Sequence, residues 1–167
     1  MVSTGEVRTM LCENNYSTII ERGHHPINDR IIDFLKPKIQ GRWLDVGCNS
    51  GWLLSEVPFG KGIDASIKMV ELAKSKGLMV FHGSAEALPF NDGEFDTVVM
   101  SCVLEQCKDW KKAYNEAKRV GYVVIGINPY PGSRWGVLGG CVKSIIPPDE
   151  MDCYIERFDE ERYYFES

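Results

Sequence analysis

The chain has 167 residues, 44% apolar and 26% charged, with a net charge of −5 at neutral pH. That balance belongs to a globular chain able to bury a sizeable core, and no apolar run approaches the roughly 20 residues of a membrane span. The acidic excess, without any Lys/Arg cluster, disfavours a nucleic-acid partner.

Met1-Val2-Ser3-Thr4-Gly5-Glu6 shows no basic-then-apolar leader pattern, so a cytoplasmic location is expected. Cysteines stand at 12, 48, 102, 107, 141 and 153 with no Cys-x-x-Cys pair, which argues against structural zinc and for reduced, partly buried thiols. Residues 1–25 form a polar N-terminal segment, and residues 26–167 read as one domain. Within that segment Tyr16, His24 and His25 belong either to a lid over a pocket or to a solvated tail. Pro26 suits the first turn of a helix. Ile27, Ile31, Phe34 and Leu35 share a helical face, and Pro37 stops the helix near Leu35 or Lys36.

Trp43-Leu44-Asp45-Val46-Gly47-Cys48-Asn49-Ser50-Gly51 organises the rest. An apolar run ends in small, turn-forming residues, and a helical stretch, Trp52 to Val57, follows. This is the grammar of a buried parallel strand, a tight turn and a helix, with ligands received at the strand's carboxyl end. A dinucleotide loop wants Gly-x-Gly-x-x-Gly, and its third position falls here on Trp52, which argues against NAD. The loop alone is also compatible with an ordinary strand-to-helix turn.

Lys61 to Asp64 is the second strand, ending in an acid about twenty residues after the first begins. An acid there hydrogen-bonds ribose hydroxyls in βαβ nucleotide sites. Ser66 is placed to cap the following helix, which ends at Gly77. Leu78 to His82 is the third strand, Asp92-Gly93 a turn, and Thr97 to Ser101 a β-branched central strand. A helix over Asp109 to Arg119 and a strand within Val120 to Asn128 complete the alternation. The fold class is therefore α/β, a doubly wound, mostly parallel sheet with helices on both faces. Asn128 to Gly136 is a turn-rich loop in which Arg134 and Trp135 either face substrate or pack as surface. Tyr154 to Phe165 reads as a terminal antiparallel hairpin with a turn near Asp159-Glu160, or alternatively as a helix from about Asp159, in a minimal C-terminal part.

Leu44 to Gly51, Gly62-Ile63-Asp64-Ala65-Ser66, Ala85-Glu86-Ala87-Leu88-Pro89-Phe90, Phe95-Asp96-Thr97-Val98-Val99 and Glu116-Ala117-Lys118-Arg119-Val120 come in an order and at intervals that resemble the class I S-adenosylmethionine (SAM)-dependent methyltransferases of the type 11, UbiE-like group. The match spans roughly residues 40–130. It implies a Rossmann-like methyltransferase that uses SAM, releases S-adenosylhomocysteine (SAH) and serves a small-molecule acceptor. It also implies that Asp45, Gly47, Cys48, Asn49 and Gly51 surround the methionine part. Asp64 would hold the ribose, Ala65 and Met69 would lie near the adenine, and Ser84, Ala85 and Glu86 would border it. Ser101 and Val103 would sit beneath the sulfonium.

Three departures stand out. Asn49 replaces the family's usual Gly, Ser84 its usual acid, and Gly121 follows Val120 at once where about four more residues are normal. They leave open a partner subunit with little or no catalysis, and an RNA or protein methyltransferase remains a further alternative. Tyr16, His24, His25, Glu105, Gln106 and Trp135 are the candidates for substrate contact. No residue type or spacing names a catalytic base, the acceptor, a metal or an oligomeric state.

Overall fold

The computed structural model describes residues 26–129, 146, 148–158 and 162–167. The expectations for residues 1–25, with Tyr16, His24 and His25, and for Arg134 and Trp135 lie outside these residues.

Pro26–Leu35 forms helix α1 and runs into a short 3-10 turn, Lys36–Lys38. Strand β1, Trp43–Val46, leads to α2, Trp52–Glu56. Strand β2, Lys61–Asp64, precedes α3, Ile67–Ser75, and β3, Val80–His82. Strand β4, Phe95–Ser101, is followed by a 3-10 turn, Leu104–Gln106, and by α4, Trp110–Val120. Strands β5, Gly121–Pro129, β6, Tyr154–Arg157, and β7, Arg162–Glu166, close the sequence. The sheet order is β3-β2-β1-β4-β5-β7-β6. β1 to β5 are mutually parallel, whereas β7 is antiparallel to β5 and β6 to β7. The mixed α/β sheet and its terminal hairpin agree with the sequence expectation, and the helix alternative for the last residues does not hold over Arg162–Glu166.

Burial explains why the central strands read as unbroken apolar runs. Val98, Met100, Val124 and Leu44 pack with Tyr114 and Ala117 of α4 on one face. Val99, Ile125, Ile127 and Trp43 pack with Leu35, Leu53, Val70 and Ala73 of α1 to α3 on the other. Adjacent residues of β4 thus feed opposite cores, so alternation is lost.

Three local expectations need correction. β3 starts at Val80, not Leu78, because Leu78 is drawn back to the preceding helix. Its amide donates to Ala73 O at 3.3 Å, and its side chain fills the space beside Gly51. β4 starts two residues early, at Phe95, since Asp96 N donates to Arg42 O at 2.7 Å. The Ser66 side chain makes no capping bond; its own amide is held by Asp64 Oδ1 at 2.8 Å.

The missing residues after Val120 are absorbed without any loop. α4 ends at Val120 and β5 begins at Gly121, already paired with Phe95. Gly121 has extended backbone, φ −130° and ψ 151°, so its backbone does not require glycine. The packing does: a Cβ there would lie 2.4 Å from Val98 Cγ2.

Candidate functional site

The carboxyl ends of β1, β2 and β4 are adjacent in the sheet, and Asp45, Gly47, Asn49, Asp64, Ser101 and Val103 lie at or just past those ends. Gly47, Asn49 and Gly51 all take left-handed backbone, with φ of 70°, 53° and 77°. Glycine is needed at the first and third on two counts, the sign of φ and the space. A Cβ on Gly47 would sit 2.3 Å from Val103 Cγ2, and one on Gly51 2.2 Å from Leu78 Cδ1. The same contact places Val103 directly against the loop.

The loop is fastened from several sides. Gly47 N and Cys48 N both donate to Ile63 O, at 2.8 and 3.1 Å. Asn49 N donates to Asp64 Oδ2 at 2.8 Å, and Ser50 N donates to Asn49 Oδ1 at 2.6 Å. The Lys76 ammonium donates to Ser50 O at 2.8 Å. Asp64 therefore carries one backbone amide on each carboxylate oxygen, and each oxygen keeps further acceptor capacity.

Asp45 is 3% exposed, and its Oδ2 has no hydrogen-bond partner among the described residues. Burial, with the nearby Asp64 charge adding to it, holds its carboxyl well above the usual range. Burial also raises Asp64, against the opposing pull of the Ser66 and Asn49 amides and of His82. The Cys48 thiol is pushed up by burial and by both acids, so it stays protonated and inert. The loop thus encloses unbalanced acidic groups, which favours a ligand carrying positive charge and hydroxyl donors.

Met69 is buried on α3, and Ala65 is exposed just past β2. His82, which sequence reading passed over, ends β3 opposite Asp64, and its Nε2 lies 3.1 Å from Ala65 O. Only its place as the last residue of the third strand could have pointed to it. Ser84 Oγ accepts from Glu86 N at 3.1 Å. Glu86 Oε1 accepts from Lys108 N at 2.8 Å and Asp109 N at 3.3 Å, which ties this segment to the start of α4. Ala85 is half-buried between them.

At the end of β4, Cys102 adopts φ 56° and its amide donates to Ile127 O at 2.7 Å. Gln106 Nε2 folds back to Cys102 O at 2.7 Å. Two polar atoms of this turn are buried without a partner among the described residues, Ser101 Oγ and Glu105 Oε2. Glu105 is 6% exposed, and burial pushes its carboxyl up to about 7, against hydrogen bonds from its own amide and the Gln106 side chain. A separate groove lined by Arg42, Trp43, Phe59, Lys61, Glu94 and Phe95 lies toward the amino ends of the same strands, away from these groups.

Residues 44–124 match the family model described as a methyltransferase domain. An uncharacterized protein of Methanocaldococcus jannaschii is 38% identical over 101 residues, covering 58% of this chain and 49% of that protein. Demethylmenaquinone methyltransferase of Staphylococcus aureus is 38% identical over 89 residues, covering 46% of this chain and 37% of its own length. The chain thus matches about half, or less, of the length of these curated relatives. The crystal structure of a SAM-dependent methyltransferase from Archaeoglobus fulgidus is similar in fold, with a TM-score of 0.74 over 95% of this chain and 98% of that one, at 17% identity.

Proposed function

Because residues 44–124 match the model of a methyltransferase domain, we propose that the chain binds SAM at the Gly47–Gly51 loop and transfers the methyl group to a small-molecule acceptor, leaving SAH. The observation that carries this reading is the pairing of the unpartnered, buried Asp45 Oδ2 with the left-handed loop held by Asp64.

These residues fit that cofactor. Asp45 offers acidic acceptor capacity to an ammonium, and glycine at 47 and 51 lets Val103 and Leu78 pack directly against the left-handed turn that shapes the site. Asp64 has lone pairs left for a vicinal diol. Ala65 and Met69, with Ser84, Ala85 and Glu86, would border the adenine, with Ser101 and Val103 toward the sulfur. When bound, SAM supplies a methyl group already activated by a sulfonium. The protein's task is then to align the acceptor and exclude water, and it needs no nucleophile of its own. Net charge and the absence of a basic cluster favour a small molecule over nucleic acid. Among the described residues no helix is long and apolar enough to cross a membrane.

The test is titration with SAM, SAH and, as control, NAD, followed by thermal unfolding. Ligand at about a hundred times its dissociation constant adds roughly 2.7 kcal/mol, a rise of several degrees for a domain of this size. A rise with SAM and SAH but not NAD supports the reading. No response at millimolar SAM and SAH overturns it.

A further inference from the structure

The turn after β4 holds two buried polar atoms that have no hydrogen-bond partner among the described residues, Ser101 Oγ and Glu105 Oε2. Leaving such atoms without partners costs about 1–3 kcal/mol each, more for a charge, so they are expected to have a use. The turn adjoins the loop through Val103. It is itself held in a conformation unusual for a non-glycine residue, at Cys102 with φ 56°. Gln106 Nε2, bonded to Cys102 O, fixes the segment that bears Glu105. On the reading proposed above, this is the acceptor's side of the cofactor.

We infer that Glu105, with Ser101 at the other end of the same turn, binds the methyl acceptor and selects a primary amine. The chemistry of the pair leads there. A buried carboxylate accepts hydrogen bonds, and a serine hydroxyl completes the contact with a group that carries several N–H donors. A cation would offset the burial of that charge, which no charged group among the described residues does. An alcohol's proton is far too weakly acidic for a carboxylate to remove, and a carboxylate acceptor would be repelled. The step balances. One N–H bond of the ammonium breaks, its proton forms an O–H bond with Glu105 and then passes to water, and the electron pair stays on nitrogen as the nucleophile.

The full-length protein loaded with SAH would be titrated with n-butylamine and with n-butanol at about pH 8, reading the backbone amide NMR shifts of residues 101–106. The proposal expects the amine to shift these amides and to bind at least about fivefold more tightly than the alcohol. Glu105→Gln should abolish that preference while leaving SAH affinity within about twofold, and Glu105→Asp should restore part of it. Equal binding of the two probes, shifts elsewhere only, or a preference that survives in Glu105→Gln overturns the amine assignment while the SAM reading stands. Failure of SAH to bind overturns both. If Glu105→Gln does not fold, Glu105→Asp decides, since a shortened carboxylate should weaken the amine and not the alcohol.

Discussion

The backbone amide of Asn49 donates to Asp64 Oδ2 at 2.8 Å, across 15 residues of sequence, while Asn49 holds a left-handed φ of 53°. One carboxylate thereby joins the end of β2 to the turn after β1, and its second oxygen starts α3 through the Ser66 amide. Asp64→Ala removes both acceptors and any contact with a ribose. SAH affinity should fall at least about tenfold, since each charged hydrogen bond is worth about 1.5–3 kcal/mol. Calorimetric titration checks this, and a variant that binds like the wild type would remove Asp64 from the site.

Asn49 tests whether the loop needs glycine. Asn tolerates the left-handed region, and its Oδ1 also accepts the Ser50 amide at 2.6 Å. Both Asn49→Gly and Asn49→Ala lose that bond, but only Ala meets the steric cost of positive φ. Asn49→Ala should be less stable than Asn49→Gly by about 1 kcal/mol in urea unfolding. Equal stabilities would mean that the loop relaxes away from its left-handed form.

Most of the architecture was legible because burial on both faces writes apolar runs into β4 and β5, and amphipathic stripes into α1 and α4. The errors have local causes. Leu78 has strand-like character, yet helix termination and the space beside Gly51 claim it. Ser66 looks like a cap, but Asp64, two residues earlier, already occupies its amide. Asp64 was legible from its place at the end of the second strand, and Asp45 from the family resemblance. His82, and the absence of partners at Ser101 Oγ and Glu105 Oε2, were not, because they depend on which strands lie side by side and on what each atom meets after folding.

Two of the five stretches that carry the family resemblance, Ala85 to Phe90 and Glu116 to Val120, are joined by one side chain. Arg119 donates from Nε and Nη2 to Glu116 at 2.8 and 2.9 Å, and from Nη1 to Asp92 at 2.7 Å and Phe90 O at 2.9 Å. Its Nη2 also reaches Leu88 O at 2.9 Å, while Glu116 Oε2 accepts the Leu88 amide at 2.8 Å. This clamp fixes the Leu88-Pro89-Phe90 segment to α4, so its role is structural. Arg119→Lys keeps the charge but not the planar fork. It should lose about 1–3 kcal/mol in urea unfolding with SAH affinity within about twofold of wild type. A large loss of affinity with unchanged stability would place the clamp in the binding site instead.

The loopless junction makes an equally direct prediction. Gly121→Ala drives a methyl group into Val98 Cγ2, on a strand buried on both sides. Overpacking of that kind costs about 1–3 kcal/mol, read as a lower urea midpoint. Replacing Val98 by Ala in the same chain should recover part of the loss, because it vacates the colliding position. No recovery would indicate that the backbone, and not this contact, sets the requirement for glycine.

Glu105 gives the stability a recognisable pH dependence. Its carboxyl rises from an ordinary 4.5 to about 7 in the folded protein, with burial as the leading cause. Between those values the folded state keeps a proton that the unfolded chain gives up. Its contribution is therefore complete below pH 4.5 and is lost as pH climbs through 7. Glu105→Gln cannot titrate. Relative to wild type, the variant should gain on the order of 2–3 kcal/mol between about pH 5 and pH 8. The raised carboxyls of Asp45 and Asp64 are present in both proteins and largely cancel in the difference. Urea unfolding of the two proteins across this range measures it. Parallel stability curves would show that Glu105 is ionised at an ordinary pH, and therefore solvated or paired in the folded protein.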